Sequence, residues 1–123
     1  MKQNIVGDRS IAFAIRTINA YKFLCKEHHE YVISKQMLRS GTSIGANVCE
    51  AEHAESKADF VHKMSIALKE ASETKYWLLL LNKGEYVNDN EYSSNNKECL
   101  ELISLLATIV KTTKKSIQDA KAN

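Results

Sequence analysis

The sequence predicts an all-α fold in which four helices form an antiparallel up-down-up-down bundle. Proline is absent from the 123 residues and glycine occurs only four times, which favours long helices over turn-rich sandwiches or barrels. Apolar residues recur at helical spacing in four segments. The connections between these segments are short, so successive helices are expected to pack side by side in opposite directions. We expect residues 1–123 to form a single domain.

Capping residues and apolar stripes locate the first two helices. The first is predicted from about Arg9 to His28, with Asp8 as its N-cap. The second is predicted from about Lys35 to His53, with Ser34 as its N-cap. Its apolar stripe consists of Met37, Gly41, Ile44, Val48 and Ala51. This spacing gives the second helix one face for a core.

The last two helices have one sharp boundary and one diffuse boundary. The sequence Ser56-Lys57-Ala58-Asp59 has capping-box form and predicts the start of the third helix. Lys83-Gly84, a basic last turn followed by a glycine, predicts its end. The fourth helix is expected to start between Asp89 and Lys97, because the serines and asparagines there are poor helix formers. The tail after Gln118 is expected to fray.

The first and third helices each carry a second apolar face. One face of the first helix holds Ile11, Ala14, Ile15, Ile18, Tyr21 and Cys25, and the nearly opposite face holds Phe13, Ala20 and Leu24. One face of the third holds Phe60, Met64, Ala67, Leu68, Ala71 and Leu78, and the other holds Ile66, Trp77 and Leu80. A second face predicts either an unusually apolar surface or contact between copies of the chain. We favour self-association through an interface of Phe13, Leu24, Ile66, Trp77 and Leu80.

Small and polar residues dominate the second helix from Ser40 to Glu50. Gly41, Gly45 and Ala46 would let another backbone approach closely, which compensates for the cost of glycine in a helix, about 1 kcal/mol relative to alanine. A polar stripe at spacings of three, four and three consists of Ser40, Ser43, Asn47 and Glu50. This stripe is either a ligand site or a hydrogen-bonded seam within the bundle or between protomers. We favour the seam, because no pairing of a nucleophile with a base accompanies it.

The net charge is +2, but the charged residues are distributed unevenly along the chain. Residues 1–49 contain seven basic and three acidic residues, 50–101 contain six and eleven, and 102–123 contain four and one. The pattern predicts either attraction between neighbouring helices or a basic surface for nucleic acid. The candidate nucleic-acid-binding residues are Arg9, Arg16, Lys22, Lys26, Lys111, Lys114 and Lys115. Their alternative interpretation is ordinary solvated basic side chains on helix surfaces.

Metal-binding and catalytic patterns are weak. Glu50 and His53 form a Glu-x-x-His pair, and Asp59 and His62 repeat its spacing. Di-iron bundles place two such motifs and two further glutamates inward from the middle of helices. Both pairs here flank one connection between helices, so we predict no metal. No phosphate loop or serine elbow occurs, and we predict no catalytic residues and no cofactor.

The compartment is predicted from the cysteines and the N-terminus. Cys25, Cys49 and Cys99 are odd in number and widely separated, which favours buried free thiols in a reducing cytoplasm. The first residues lack the apolar core of a secretory signal. The longest apolar run, from Trp77 to Leu81, is far shorter than the about 20 residues that span a bilayer. We therefore expect a cytoplasmic protein that does not enter the membrane.

Two separated motifs carry a resemblance to a known family. The first is Ser40-Gly41-Thr42-Ser43-Ile44-Gly45-Ala46-Asn47-Val48-Cys49-Glu50, and the second is Ser56-Lys57-Ala58-Asp59-Phe60 leading to Ser65-Ile66-Ala67-Leu68-Lys69-Glu70-Ala71 and Trp77-Leu78. In this order they resemble the bacterial four-helix-bundle family encoded in 23S rRNA intervening sequences, over about Arg9 to Val110. That family looks related to the accessory variability protein of diversity-generating retroelements.

The resemblance implies an assembly and a class of function. It implies a ring-like homo-oligomer, a homopentamer in characterised relatives, and in some relatives a basic ring that binds nucleic acid and a reverse transcriptase. We therefore expect a non-enzymatic scaffold that binds RNA, DNA or a nucleic-acid-handling protein. The alternatives are a pure protein-interaction scaffold and a metal-dependent bundle enzyme.

Overall fold

A computed structural model describes residues 4–122, which form four α-helices and no strand. The helices are α1 (Ile5–His28), α2 (Ile33–Ala51), α3 (Lys57–Lys83) and α4 (Asp89–Ala122). The predicted all-α class with four helices is therefore confirmed. Along the chain, α1 packs against α2, α2 against α3 and α3 against α4, whereas α1 and α4 make the least extensive contact.

The start of α1 lies four residues before the predicted one. The side-chain oxygen of Asn4 accepts a hydrogen bond from the backbone N–H of Gly7 at 3.0 Å, so Asn4 is the N-cap. Asp8, the predicted cap, lies instead in the first turn, where its negative charge interacts favourably with the positive end of the helix dipole. The end at His28 is as predicted, and His29 adopts a left-handed conformation with φ of 50°.

A carboxylate from outside the helix caps α2. Glu30 accepts backbone N–H bonds from Val32 at 3.1 Å, from Ile33 at 3.1 Å and from Ser34 at 2.6 Å. Burial acts to raise the pKa of Glu30, but these N–H donors favour its charged form and hold the pKa below its ordinary value. Ser34, the predicted cap, lies inside the helix, and its hydroxyl donates to the Glu30 carbonyl at 2.7 Å. The helix ends at Ala51, two residues before the predicted His53.

The boundaries of α3 follow the prediction closely, and those of α4 do so in part. The Ser56 hydroxyl accepts from the backbone N–H of Asp59 at 3.0 Å, and α3 ends at Lys83 with Gly84 as its C-cap. Gly84 has φ of −81°, and the left-handed residue is Glu85 with φ of 67°. The Asn88 side chain accepts from Glu91 N–H at 2.8 Å, which caps α4 at Asp89. The helix then continues to Ala122 without the expected fraying after Gln118.

All four helices contribute to one hydrophobic core. Its fully buried large side chains include Leu24 of α1, Met37, Ile44 and Val48 of α2, Leu81 of α3, and Leu102 and Leu106 of α4. Burial of each such side chain contributes about 1.5–3 kcal/mol relative to exposure. Phe13, which is 2% exposed, and Leu24, which is 0% exposed, belong to this core. The assignment of these two residues to an interface between copies is therefore corrected.

The face of α1 that points inward is the opposite of the one that apolar periodicity favours. Ile11 and Ile15, on the face richest in isoleucine, are 59% and 53% exposed. The buried face contains Ser10 and Thr17, whose hydroxyls donate to the carbonyls of Gly7 and Phe13 at 2.9 Å each. Because these hydroxyls are satisfied on their own helix, they can be buried against α2 at little cost.

The glycines of α2 face these small residues of α1. A Cβ built on Gly41 would lie 2.7 Å from Thr17 Cγ2, and one built on Gly45 would lie 3.3 Å from Ser10 Oγ. At Gly41, a methyl group fits only if the surrounding structure shifts. At Gly45, the Ser10 hydroxyl can move aside. The close approach of α1 and α2 therefore depends more strictly on Gly41 than on Gly45.

We expect Gly41→Ala to lower the free energy of unfolding by about 1–3 kcal/mol through overpacking. Gly45→Ala should be neutral or slightly stabilising, because alanine favours a helix by about 1 kcal/mol over glycine. Urea denaturation of the two variants measures the difference. Thr17→Ala in the Gly41→Ala background should restore part of the loss, and equal effects at the two glycines would refute the assignment.

We expect Glu30→Gln to lower the free energy of unfolding by about 1–3 kcal/mol at neutral pH, because charge-assisted hydrogen bonds to the start of α2 are weakened. The pKa of Glu30 is lowered in the folded state, so its stabilisation is present above the ordinary value of 4.5 and is lost as pH falls through the folded-state value. Urea denaturation from pH 7 to pH 3 should show the two proteins converging. Glu27→Gln, at an exposed position of α1, is the control and should follow the unmodified protein throughout.

Candidate functional site

The polar stripe of α2 begins with a buried contact to α3. Ser40 and Thr74 are both 0% exposed, and their hydroxyl oxygens lie 2.7 Å apart. Thr74 Oγ1 also lies 2.8 Å from the Glu70 carbonyl oxygen, and Ser40 Oγ lies 3.3 Å from the Met37 carbonyl oxygen. These two hydroxyls thus form a hydrogen-bonded link inside the core of the protomer, and each hydrogen bond described here is made within the chain.

The remaining members of the stripe are more exposed than Ser40. Ser43 donates to the Arg39 carbonyl at 2.6 Å, and Asn47 donates to the Ser43 carbonyl at 2.8 Å. Glu50 is exposed and lies 3.7 Å from Lys63 of α3. Within the protomer, the hydrogen bond and the ion pair that join the stripe to α3 involve Ser40 and Glu50 among the residues that the structure describes. Their partners on α3 are Thr74 and Lys63.

Glu70 and Glu73 form a pair of acidic residues beside this link. Burial raises the pKa of Glu70, and the negative charge of Glu73 and a hydrogen bond with it raise the pKa further. Arg39 of α2 acts in the opposite direction. Burial and the charge of Glu73 therefore oppose the ionisation of Glu70, and the arrangement lacks the nucleophile that acyl or phosphoryl transfer would need.

Two of the predicted nucleic-acid-binding residues are bound to α4. Arg9 Nη1 lies 3.2 Å from Glu101 Oε2, and Arg16 Nη1 lies 3.2 Å from Glu98 Oε2. Arg16 Nη2 also donates to the Ser94 hydroxyl at 2.9 Å. These pairs are partly exposed, so each contributes about 0–1 kcal/mol. The basic character of α1 is thus partly used for attraction to two glutamates in the first half of α4.

The five predicted lysines remain exposed in two separate groups. None of Lys22, Lys26, Lys111, Lys114 and Lys115 has a carboxylate within ion-pair distance among residues 4–122. Lys22 and Lys26 lie near the end of α1, where the ring of His28 packs edge to face against Tyr86 just before α4 begins. Lys111 lies 22 residues into α4, which is about 33 Å along the helix. The five candidate lysines therefore form two separate groups on one protomer.

Exposed apolar side chains mark a different surface of α1. Ile11, Ile15 and Ile18 follow a spacing of four and three, and all three are exposed. We call these three residues the isoleucine stripe. The predicted interface residues of α3, Ile66, Trp77 and Leu80, are half-buried within the protomer. Trp77 packs against the core, and its ring centroid lies 5.1 Å from that of Tyr76. The isoleucine stripe therefore lies on the exposed side of α1, whereas Phe13 and Leu24, predicted at an interface, are buried.

The cysteines differ in environment more than expected. All three are free thiols, but Cys25 is half-buried and Cys49 is exposed, so only Cys99 is buried as predicted. Burial raises the pKa of Cys99 to about 12. Its thiol lies 3.3 Å from the Ala71 carbonyl, which makes Cys99 a packing residue of the core and a poor nucleophile.

The motifs with metal-ligand spacing lie beside the connection between α2 and α3. His53 and His62 are exposed. The described part of the chain contains no group of three or more histidine, cysteine, aspartate and glutamate side chains placed to hold a metal ion. It also contains no helix with the length and apolarity needed to cross a membrane.

A cleft of about 950 Å³ opens between α1, the connection from α3 to α4 and the first turns of α4. Its walls include Phe23, His28, Tyr86 and Asn95. The sequence analysis associated none of these four with a site, because they come from three segments whose juxtaposition depends on the tertiary fold. No periodic pattern in any one segment marks them.

Comparisons with known proteins agree on one family. The chain matches the 23S rRNA-intervening sequence protein family over residues 2–108. It is similar to the crystal structure of a protein of unknown function from the S23 ribosomal protein family of Bacteroides thetaiotaomicron VPI-5482. The two share 56% sequence identity and a TM-score of 0.85, over 86% of this chain and 98% of that chain. No curated protein matches the chain. The protein described here, with its four helices and its two predicted motifs, therefore belongs to the 23S rRNA-intervening sequence protein family.

Proposed function

We propose that the protein is a non-enzymatic, homo-oligomeric scaffold that binds nucleic acid. Its protomers, antiparallel four-helix bundles, assemble into a ring-like oligomer, a homopentamer by resemblance. The observation that carries the binding function is the set of five exposed lysines without carboxylate partners on α1 and α4. A nucleic-acid-handling protein with an acidic surface is the other partner that these lysines can bind.

The isoleucine stripe supports the assembly. Complete burial of an isoleucine side chain contributes about 1.5–3 kcal/mol, and these three side chains are between one-third and two-thirds exposed. Their burial against another copy supplies a few kcal/mol from one face of one helix. Contiguous exposed apolar surface of this kind is typical of a protein interface. The half-buried Ile66, Trp77 and Leu80 of α3 provide a second surface that the neighbouring copy can cover.

Symmetry supports nucleic-acid binding by a chain with a net charge of only +2. In a closed ring each lysine recurs once per protomer, so two small basic groups become two rings of positive charge. Neutralised phosphates release counterions, which makes such binding steeply salt-dependent. RNA is the first nucleic acid to test, because the family description refers to 23S rRNA.

A pure protein-interaction scaffold is the second candidate, and the isoleucine stripe favours it directly. This second candidate predicts that the oligomer stays intact and binds its partner protein without contribution from the lysines. A metal-dependent bundle enzyme is the third, and elemental analysis of the purified protein for iron, manganese and zinc tests it.

We expect Ile15→Glu to dissociate the oligomer, because burying a carboxylate in an apolar interface without a partner is strongly unfavourable. Light scattering after size exclusion measures the mass, and circular dichroism should show unchanged helicity. Leu100→Glu, at an exposed apolar position on α4, is the matched control and should leave the mass unchanged. Retention of the oligomer by Ile15→Glu would remove the isoleucine stripe from the interface.

We expect reversal of Lys111, Lys114 and Lys115 to Glu to abolish most RNA binding near physiological salt and to flatten the dependence of log affinity on log salt. Reversal of Lys35, Lys69 and Lys97, three exposed lysines on α2, α3 and α4, makes the same change in net charge. A fluorescence titration with nuclease-treated oligomer compares the two variants. Equal losses would indicate a net-charge effect, and unchanged partner capture without RNA binding would favour the protein scaffold.

A further inference from the structure

The cleft between α1 and α4 has the size and floor of a small-molecule site. Its volume of about 950 Å³ is within the range of ligand pockets. Leu24, Met37 and Leu78, each at most 4% exposed, lie beneath its floor, and the exposed parts of Phe23 and Tyr86 supply accessible apolar surface. The cleft is possible because α1 and α4 make less extensive contact than the other packed helices. A ligand seated here would cover apolar surface already ordered by the core.

One wall of the cleft is aromatic. The ring centroids of Phe23 and His28 lie 5.4 Å apart at an interplanar angle of 67°, and those of His28 and Tyr86 lie 5.8 Å apart at 89°. Phe23 is 51% exposed and Tyr86 is 38% exposed. The three rings therefore hold one another edge to face while presenting open surface to the cleft. Aromatic faces of this kind attract cations.

The rim of the cleft carries an excess of negative charge. Glu85, Asp89 and Glu91 line it, against Arg16 as the single lining lysine or arginine among the described residues. The Arg16 guanidinium already contacts Glu98 and Ser94. Carboxylates in the first turn also stabilise the start of α4, and Asp89 accepts from the Asn82 side chain at 2.9 Å. Stabilisation of the start of α4 explains neither the aromatic wall nor the position of Glu85, which precedes the helix.

Asn95 adds a hydrogen-bond acceptor to the cleft. It lines the cleft and is 9% exposed, and its side-chain nitrogen donates to the Glu91 carbonyl at 2.8 Å. Because the carbonyl can only accept, this bond fixes the orientation of the amide. The amide oxygen has no hydrogen-bond donor among residues 4–122, which leaves it available to a donor in the cleft. An N–H group of a ligand is such a donor.

We infer that this cleft binds a small organic cation, an ammonium or guanidinium group carried on an apolar body. The apolar body packs on the accessible surface of Ala20, Phe23 and Val87. The cationic group lies between the aromatic wall and the carboxylates and donates to Asn95. This activity is independent of the isoleucine stripe and of the five exposed lysines.

The test uses three probes with one apolar body and different charges: 2-phenylethylamine, 2-phenylethanol and 3-phenylpropionate. Each is titrated into the isotope-labelled oligomer while the amide resonances of Phe23, Tyr86 and Asn95 are followed. We expect the amine to bind at least tenfold more tightly than the alcohol and the carboxylate to give no saturable shift. Equal binding of amine and alcohol, or amine-induced shifts confined to other residues, would overturn the inference.

Variants connect the binding to the cleft. Phe23→Ala removes a half-exposed ring, and Glu91→Gln removes a charge while keeping the backbone N–H that Asn88 caps. We expect each to weaken amine binding threefold or more. Asp119→Asn, an exposed acid near the end of α4, is the matched control and should bind as the unmodified protein does. Unchanged binding in Phe23→Ala and Glu91→Gln, with helicity preserved, would also overturn the inference.

Discussion

The close contact between α1 and α2 sets which face of α1 is exposed. Thr17 and Ser10 of α1 lie directly against Gly41 and Gly45 of α2, where a Cβ would come within 2.7 Å and 3.3 Å of their side chains. This contact fixes the rotation of α1 about its own axis. With the small residues inward, the isoleucine stripe must lie outside.

The same rotation determines how α1 meets α4. It places Arg9 and Arg16 opposite Glu101 and Glu98, and it places Phe23 at the edge of the cleft. The ion pairs are partly exposed and individually weak, so they hold two helices together without closing the space between them. The contact between α1 and α4 is thus electrostatic around Arg9 and Arg16 and open near the end of α1. A site for a small ligand and a polar helix contact are two parts of one loosely packed boundary.

The boundaries of α3 were predictable from local patterns, whereas the caps of α1 and α2 and the tertiary contacts were not. The start of α3 is determined within four residues by the Ser56 hydroxyl, and its end follows from Lys83 and Gly84. The inward face of α1 was misread, because hydroxyls bonded to their own helix lie in the core while isoleucines remain exposed. The cap of α2 was missed because its carboxylate comes from Glu30, outside the helix that it caps. Among the candidate sites, the exposure of the lysines was foreseeable, whereas the pairing of the arginines and the cleft required the fold.

The last turns of α4, which carry one part of the proposed binding surface, extend beyond the core and beyond the residues that match the family. The last buried apolar residue of α4 is Val110, and the match to the family ends at residue 108. Lys111, Lys114 and Lys115 lie beyond both positions, on turns that stabilise little of the core. Mutations there are nearly free of folding constraints, so charge on this segment can change rapidly during evolution. Relatives with the same helices can therefore differ in what they bind, and partner specificity can diverge while the architecture is retained.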